Sequence, residues 1–396
     1  MKPPRLSFPP GSATLVTRMR YASPLDGRSQ VRAYLALADG AVFPGFMTHP
    51  GEAIGEVVFN TSMFGYQEML TDPSYRGQIL VLTAPHVGVV GTNPEDQESG
   101  RVWAAGLVVQ DLELCPSNWR SQQALGRFLE ENRVVVGYGF DTRAIVLHLR
   151  RFGALPGVLL ATDEAQEALH LAKQARSTDG RDLTGEVTRV TPTQWCEPPW
   201  GRQAAARRAR VGVLDFGVKH SILRELVAAG AEVRVLPGRW DAQAILKAGL
   251  QGLVVSNGPG DPAAVLGGVR TLRKLLGRLP ILGICLGHQL LALALGGRTY
   301  KLPFGHHGAN HPVRNLTTGE VWVTSQNHNY AVDGDNLPQG VEVSFVNLTD
   351  GSVEGVVARE LQAEGVQFHP EAGPGPHDAL GVFRTFVARC GQGEGG

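Results

Sequence analysis

A cysteine held between two glycines is the residue of this sequence best placed to act as a nucleophile. Residues 283–287 read Gly-Ile-Cys-Leu-Gly, and the apolar run at 280–284 before Cys285 is typical of a buried strand. Helical spacing begins at Leu286 and ends at Gly296, so Cys285 is predicted on a sharp strand-to-helix turn. There the helix dipole favours a thiolate, and free N–H groups of the first turn can hold an oxyanion. The alternative is a small buried apolar residue, since free cysteines are commonly buried.

A histidine and a glutamate near the C-terminus could activate such a thiol. Residues 365–371 read Gly-Val-Gln-Phe-His-Pro-Glu, in which 366–368 look like a strand that ends before His369. Glu371 follows two residues later, and in the extended backbone that Pro370 favours it lies on the same side as His369. A carboxylate there makes the imidazole more basic and fixes its tautomer. Taken alone, this pair is more often a surface pair; together with Cys285 it predicts a nucleophile, a base and an orienting acid.

A glycine-rich loop follows the strand-like segment at 253–256. It reads Asn-Gly-Pro-Gly-Asp-Pro-Ala at 257–263, which formally matches a dinucleotide-binding loop. Its two prolines remove N–H donors, and no acidic residue occurs between Asp261 and Glu320 to hold a ribose. We therefore interpret the loop as a backbone wall beside a small substrate, with the Gly260 N–H as second oxyanion donor. The chain has no G-x-x-x-x-G-K-[ST] segment, so no P-loop nucleotide site is predicted.

Two weaker sequence patterns resemble functional sites but are better explained as ordinary structural features. Three histidines, His306, His307 and His311, cluster without a cysteine or carboxylate near them in sequence, so we predict no metal site. Residues 215–217 read Asp-Phe-Gly, but the other kinase signatures are missing, so a turn after a strand is the better interpretation.

The composition is that of a chain with two domains and no charged partner surface. The 396 residues are 43% hydrophobic and 19% charged, and 37 Lys and Arg balance 37 Asp and Glu. This balance favours neither nucleic acid nor a membrane surface as partner. The four cysteines are far apart and form no C-x-x-C pair, which suits a reducing cytoplasm. No apolar stretch reaches the length of a membrane span.

The pattern of short apolar runs divides the chain into four parts and predicts an α/β protein. Residues 1–30 are rich in Pro, Ser and Arg and are predicted to be a mobile extension. Residues 31–190 read as a β-rich mixed domain, and 191–210, broken by three prolines, as a linker. Strands alternate with helices in 211–391, which predicts a mostly parallel sheet with its functional groups at the carboxyl ends of the strands.

The sequence resembles the class I (triad) glutamine amidotransferases at Gly-Ile-Cys-Leu-Gly-His-Gln, 283–289, and at His-Pro-Glu, 369–371. These segments alone also fit amidotransferases of anthranilate, GMP or CTP synthesis. Seven others are similar to the carbamoyl-phosphate synthase small-subunit family: Phe-Asn-Thr-Ser-Met at 59–63, Gly-Tyr-Gln-Glu at 65–68, Leu-Thr-Asp-Pro-Ser-Tyr at 70–75, Asp-Thr-Arg at 141–143, Asp-Phe-Gly-Val-Lys at 215–219, Phe-Gly-His-His-Gly at 304–308 and Asn-His-Pro at 310–312. The resemblance runs from about residue 31 to about residue 390.

The resemblance implies a fold and a substrate site. The N-terminal domain would be of the swivelling β/β/α type, and Ser62 would contact glutamine from it. Asn329 and Tyr330 stand where the family pattern often has Gly and Phe, so contacts there are expected from the backbone. The residues implied to line the L-glutamine site are Ser62, Gly258, Gly260, Leu286, Gln289, Asn327, Asn329 and Tyr330, beside the implied catalytic residues Cys285, His369 and Glu371.

The resemblance also implies a partner, because this chain shows no ATP site. A large synthetase subunit would bind ATP and Mg, receive ammonia through a tunnel and make carbamoyl phosphate from bicarbonate. The product would serve pyrimidine synthesis, arginine synthesis or both. Three rival interpretations stay open: a cysteine hydrolase or peptidase, a docking protein with a vestigial elbow, and a different amidotransferase.

Overall fold

The computed structural model describes residues 30–113 and 115–392, in which a β-barrel is followed by a large sheet with helices on both faces. The extension predicted at residues 1–30 lies outside the described residues, apart from Gln30. In the described ranges, no helix is both long and apolar enough to cross a bilayer.

The first part of the chain closes seven strands into a barrel in the order β1-β2-β8-β6-β4-β3-β9. Strand β4 is buried along its whole length, and Asp141 caps the longest helix of this part by accepting from the Ala144 N–H at 2.8 Å. The strands are β1 Val31–Leu37, β2 Val42–Met47, β3 Glu52–Asn60, β4 Gln78–Leu82, β5 His86–Val87, β6 Gly106–Val108, β7 Asp111–Leu112, β8 Val135–Tyr138 and β9 Leu155–Ala161. The helices are α1 Tyr66–Thr71, α2 Leu125–Glu131, α3 Thr142–Phe152, α4 Ala165–Ala172 and α5 Thr184–Val187.

The second part forms a ten-stranded sheet in the order β10-β12-β11-β13-β14-β19-β18-β16-β15-β17. Its strands are β10 Thr193–Trp195, β11 Ala209–Asp215, β12 Ala231–Pro237, β13 Gly252–Val255, β14 Ile281–Ile284, β15 Thr299–Asn315, β16 Val321–Val332, β17 Glu342–Asn347, β18 Val353–Ala358 and β19 Ala363–Val366. The helices are α6 His220–Ala228, α7 Ala242–Lys247, α8 Leu266–Leu275, α9 Leu286–Leu295 and α10 Gly381–Gly391. The central strands are aliphatic and buried because helices cover both faces.

The expectation of a mostly parallel sheet is wrong for half of it. Strands β12, β11, β13, β14 and β19 are parallel, whereas β10 and β15 to β18 pair antiparallel. The physical reason lies in the connections: parallel neighbours need a crossover, and from β15 to β19 the chain has no α-helix to supply one. The strand–helix alternation that carried the prediction ends at α9.

Part of the predicted linker at 191–210 belongs to the sheet. Strand β10 pairs antiparallel with β12, with Thr193 opposite Val235 and Trp195 opposite Val233. The strand is short and lies at the sheet edge, the position that flanking prolines such as Pro192 and Pro198 allow. Strand β11 also starts inside this range, at Ala209.

The two parts meet at the carboxyl ends of β13, β14 and β19. The segments that leave these strands carry the glycine loop, Cys285 and His369. Residues from the barrel reach the same place, since Asp72 and Ser74 contact Asn257 of the glycine loop. The predicted groups therefore share one edge of the sheet, covered by the barrel.

Candidate active site

The backbone at Cys285 has a positive φ, which is uncommon for a residue other than glycine and is typical of a tight turn. Its φ is 53° and its ψ −106°, between β14 and α9, and its N–H donates to Val366 O at 2.9 Å. Both flanking glycines are needed for close approach: a Cβ on Gly287 would lie 2.0 Å from Val255 O, and one on Gly283 2.5 Å from Gly287 O. The predicted elbow is therefore present, and Cys285 lines a cavity at the end of β14.

The thiol and the predicted base are both buried, and they interact, since Cys285 contributes to the raised pKa of His369. Cys285 is 2% exposed, and its Sγ lies 3.5 Å from Asn327 O, to which the thiol donates. Nε2 of His369 is buried and makes no hydrogen bond to any residue in the described ranges. Burial lowers the pKa of His369, but the charge of Glu371 and the interaction with Cys285 raise it well above its usual range. His369 therefore holds a proton readily, and its protonated form favours a thiolate at Cys285.

His369 and Glu371 form the predicted pair by a different backbone route. Nδ1 of His369 lies 2.7 Å from Oε1 of Glu371. The expected extended backbone holds at His369, which bridges to Ser325, but it is wrong for the residues that follow: the chain turns, and the Ala372 N–H donates to His369 O at 3.1 Å. Pro370 is compatible with this turn, because its fixed φ also suits turn geometry. A turn brings the two side chains together as well as a strand would.

A buried lysine, for which no role was predicted, completes this chain of charges. Nζ of Lys219 lies 3.0 Å from Oε1 of Glu371 and donates to Ala372 O at 2.6 Å. Burial raises the pKa of Glu371, but Lys219 and His369 outweigh it and lower that pKa to about 2. Burial lowers the pKa of Lys219, but the charges of Glu371 and of Glu98, from the barrel part, outweigh it and raise that pKa. Glu371 is therefore held as a carboxylate, the form that can orient an imidazole.

Helix α9, which follows Cys285, carries a buried histidine that should make the folded protein less stable at acidic pH. His288 is 0% exposed, and burial lowers its pKa to about 3, whereas an unfolded histidine titrates near 6.5. Between these values the unfolded chain binds a proton that the folded chain does not, so stability falls as pH falls. The expected slope from this one group is about 1.4 kcal/mol per pH unit.

The variant His288→Gln should remove that contribution. The free energy of unfolding is measured in urea between about pH 6 and about pH 4. Its change with pH should be smaller than in the wild type by about 1.4 kcal/mol per pH unit, which corresponds to one proton. All other titrating groups are common to both proteins, so the difference in slope isolates His288. Equal slopes would contradict the assignment of a neutral buried imidazole.

Most residues predicted to bind substrate line one small cavity beside Cys285. Its free volume is about 30 Å³. The predicted residues in its wall are Gly258, Gly260, Gln289, Asn327, Asn329 and Tyr330. A Cβ on Gly258 would lie 2.2 Å from Phe216 O, and Gly260 has φ 94°, so both positions favour glycine. Leu286 packs its side chain against Gly258, and as the first residue of α9 its N–H has no acceptor within the helix.

Ser62 lies on the other side of Asn327, in a second cavity of about 20 Å³ that it shares with His369. Its hydroxyl is buried and makes no hydrogen bond within the described ranges, while its N–H is fixed by Asn60 Oδ1 at 2.8 Å. A fixed backbone with an unused hydroxyl is suited to a polar ligand group near His369.

Three residues that were not predicted to line the glutamine site hold Asn327 and Asn329 in place. Asp72 accepts from Asn327 Nδ2 at 3.0 Å, and Glu56 accepts from Asn329 Nδ2 at 3.0 Å. His307 lies between both side-chain oxygens, at 3.0 Å and 2.9 Å. Glu56 and Asp72 belong to the barrel part, so both parts of the chain build the site. The resemblance covers Asp72 and His307, but no spacing rule predicts these long-range contacts.

The histidine cluster gains a carboxylate that is distant in sequence. His306, His328 and Glu354 place ligand-type atoms within 4.8 Å of one another. These groups are engaged with the protein: His306 with Asp350 at 2.8 Å, His328 with Tyr330 O at 2.8 Å, and Glu354 with two amides. The arrangement is accounted for as a hydrogen-bonded network, and we assign no ion to it.

Comparison with known proteins agrees with this geometry. Residues 212–389 match the family model described as glutamine amidotransferase class-I, and residues 35–159 match that of the carbamoyl-phosphate synthase small chain, CPSase domain. The carbamoyl phosphate synthase small chains of Syntrophotalea carbinolica and Thermus thermophilus are each 48% identical, covering 90% of this chain and 97% and 92% of those proteins. The chloroplastic small chain of Arabidopsis thaliana is 46% identical, covering 90% of this chain and 84% of that protein.

The elbow, the buried Cys285 and the His369–Glu371 pair fall inside the matched amidotransferase segment, and the barrel falls largely inside the small-chain segment. The chain belongs to the carbamoyl phosphate synthase small chain family and carries that family's class-I glutamine amidotransferase domain.

Proposed function

We propose that this protein releases ammonia from L-glutamine with Cys285, His369 and Glu371 and delivers it to a large ATP-using subunit. The observation that carries the proposal is a buried thiol at a strained elbow that interacts with an imidazole, whose Nδ1 is bound to a buried carboxylate. A thiol, a base and an orienting acid in this order form a nucleophilic triad.

In the first half of the reaction, the Cys285 thiolate attacks the side-chain amide carbon of glutamine. His369 takes the thiol proton, and the oxyanion is held by the N–H groups of Leu286 and Gly260. The C–N bond then breaks, His369 gives its proton to the leaving nitrogen, and ammonia departs. Glu371, charged because of Lys219, keeps His369 oriented and stabilises its protonated form.

In the second half, water hydrolyses the γ-glutamyl thioester. His369 removes a proton from the water, the new tetrahedral intermediate collapses, and the thiolate leaves as glutamate is formed. Sulfur suits both steps, because a thiolate attacks readily and also leaves readily.

The remaining parts of the proposal concern the partner. We assign no cofactor to this chain and place ATP and Mg on the large subunit, where ammonia and bicarbonate would yield carbamoyl phosphate for pyrimidine and arginine synthesis. The N-terminal part would be the swivelling β/β/α domain of such subunits. A cytoplasmic location is proposed because all four cysteines are free.

The test is glutamine turnover by the purified chain with and without the large subunit. We expect slow ammonia release by the chain alone and faster release, coupled to carbamoyl phosphate formation, with the partner and ATP. A glutamine-like electrophile should label Cys285. Lack of labelling would favour a docking protein with a vestigial elbow, and turnover of peptides or esters instead of glutamine would favour a cysteine hydrolase. Carbamoyl phosphate formed by this chain alone would refute the two-subunit scheme.

A further inference from the structure

The cavity beside Cys285 is too small for the proposed substrate. About 30 Å³ of free volume has room for one or two water molecules, and glutamine is several times larger than water. A part of the wall must therefore move before any substrate of that size reaches the sulfur. The geometry of the wall shows which part is free to do so.

Most of the wall is built from rigid elements. Gly258 packs against the Phe216 backbone, and Gln289 lies on α9 with its amide bound to Tyr330 O at 2.8 Å. These residues follow central strands of the sheet or belong to a buried helix. Movement here would break the packing of the core, which is costly.

The exception is the segment 177–182, which runs between α4 and α5 and which we call the strap. It contains no helix and only one isolated bridge, Asp182 to Gly260, and residues 179–182 are exposed. Thr178 lines the cavity. Gly180 has φ +67° and open space on its Cβ side, so a turn of the strap there meets no steric hindrance, and the hydrogen bonds to Asp261 that it breaks are exposed.

The strap joins the two parts of the chain across the cavity. On the barrel side, the hydroxyls of Ser177 and Thr178 donate to Glu56 at 2.9 Å and 2.7 Å. On the sheet side, Asp179 accepts from Tyr330 OH at 2.6 Å and pairs with Lys301 Nζ at 2.7 Å. Tyr330 and Lys301 lie on the paired strands β16 and β15.

Asp179 is the part of this arrangement that can be released at low cost. Its side chain is 52% exposed, so on leaving Tyr330 and Lys301 it is solvated by water. Glu56, by contrast, is fully buried and holds Asn329 and Lys301 as well as the strap. Opening is therefore expected to begin at Asp179.

We propose that the strap at 177–182 is a gate that must lift for substrate to reach Cys285, and that Asp179, bound to Tyr330 and Lys301, is its latch. The identification of the admitted molecule as glutamine rests on the proposed function. The claim that the strap controls access to the sulfur rests on the structure alone. The gate also explains how a cavity too narrow for glutamine, lined by both parts of the chain, can exchange substrate and product.

The test measures access to the sulfur directly. The intact chain and its variants Asp179→Ala and Tyr330→Phe are alkylated with iodoacetamide, and the rate at each cysteine is followed by mass spectrometry of the peptides. Exposed Cys196 serves as the reference for free access, and Cys390, buried in the core, as the reference for unfolding. We expect alkylation of Cys285 to become about 3- to 10-fold faster in both variants, with the rates at Cys196 and Cys390 unchanged.

Matched controls are Asp163→Ala, which removes an exposed acid outside the strap, and Tyr300→Phe, which removes an exposed phenol next to Lys301 but on the other face of β15. Both should leave the Cys285 rate at the wild-type value. An unchanged Cys285 rate in Asp179→Ala and Tyr330→Phe would overturn the gate, and so would a parallel rise at Cys390, since opening would then be general unfolding. Failure of glutamine turnover would contradict the proposed function but not this result, because alkylation by iodoacetamide needs an accessible thiolate and no glutamine.

Discussion

Replacing Cys285 with serine is expected to abolish glutamine-dependent ammonia release while leaving the fold intact. Serine is close to cysteine in shape, so it can occupy the same elbow, but its hydroxyl is a far weaker nucleophile than a thiolate. Loss of the attacking group of a triad lowers turnover by about a thousand-fold or more. Ammonia release from glutamine by the purified variant, with circular dichroism and thermal unfolding alongside, provides the measurement.

The matched control is Cys196→Ser, which makes the same chemical change at an exposed cysteine. This variant should keep wild-type turnover, so a general effect of losing one thiol would be detected. Glutamine should still bind to Cys285→Ser, because the cavity walls are unchanged. Ammonia release by Cys285→Ser at the wild-type rate would remove Cys285 from the mechanism.

Backbone strain supports the choice of this cysteine independently of sequence motifs. Four non-glycine residues in the described ranges have positive φ: Arg133, Cys285, Gln362 and Ala372. Of these, Cys285 and Ala372 lie at the site, where Ala372 O accepts from Lys219. A non-glycine residue persists in this region only when its surroundings hold it there, and such positions cluster at functional sites.

The elbow could be predicted because its determinants are local. A buried strand, two glycines and a helical repeat occur within a short stretch around Cys285, and each imposes its geometry on its neighbours. The pairing of His369 with Glu371 was also predicted, but through an extended backbone rather than the turn that is present. The contact could be predicted because the two residues are only two positions apart in sequence. The path of the backbone could not, because it depends on the bridge to Ser325, which is distant in sequence.

The rest could not be predicted because it depends on how distant segments meet. Closure of the barrel joins β1 to β9, and the antiparallel half of the sheet follows from a long hairpin that contains Gly, Pro and His. The contact of Lys219 with Glu371 joins the loop before α6 to the C-terminal turn. Periodicity and spacing describe neighbours along the chain and carry no information on such contacts.

Replacing Lys219, the buried cation that contacts Glu371 of the triad, is expected to have the largest effect on stability. Lys219 Nζ is 3.0 Å from Glu371, and the side chains of both are almost fully buried. Burial raises the pKa of Glu98, with the charge of Lys219 opposing it, so this carboxyl too depends on the cation. Replacing Lys219 with methionine keeps the volume of the stem but leaves buried acids without a counter-charge, which is expected to cost about 3–5 kcal/mol of unfolding free energy. Urea unfolding at neutral pH provides the measurement.

The matched control is Lys274→Met, which removes an exposed lysine from α8 and should change stability by no more than about 0.5 kcal/mol. A second variant separates charge from packing: adding Glu98→Gln to Lys219→Met removes one of the uncompensated acids, and part of the lost stability should return. Glu98 accepts two hydrogen bonds from Ser221, one of which the amide can still accept through its oxygen, so the double variant retains part of that contact. If Lys219→Met unfolded at the same urea concentration as Lys274→Met, the triad carboxylate would be held charged by something other than this lysine.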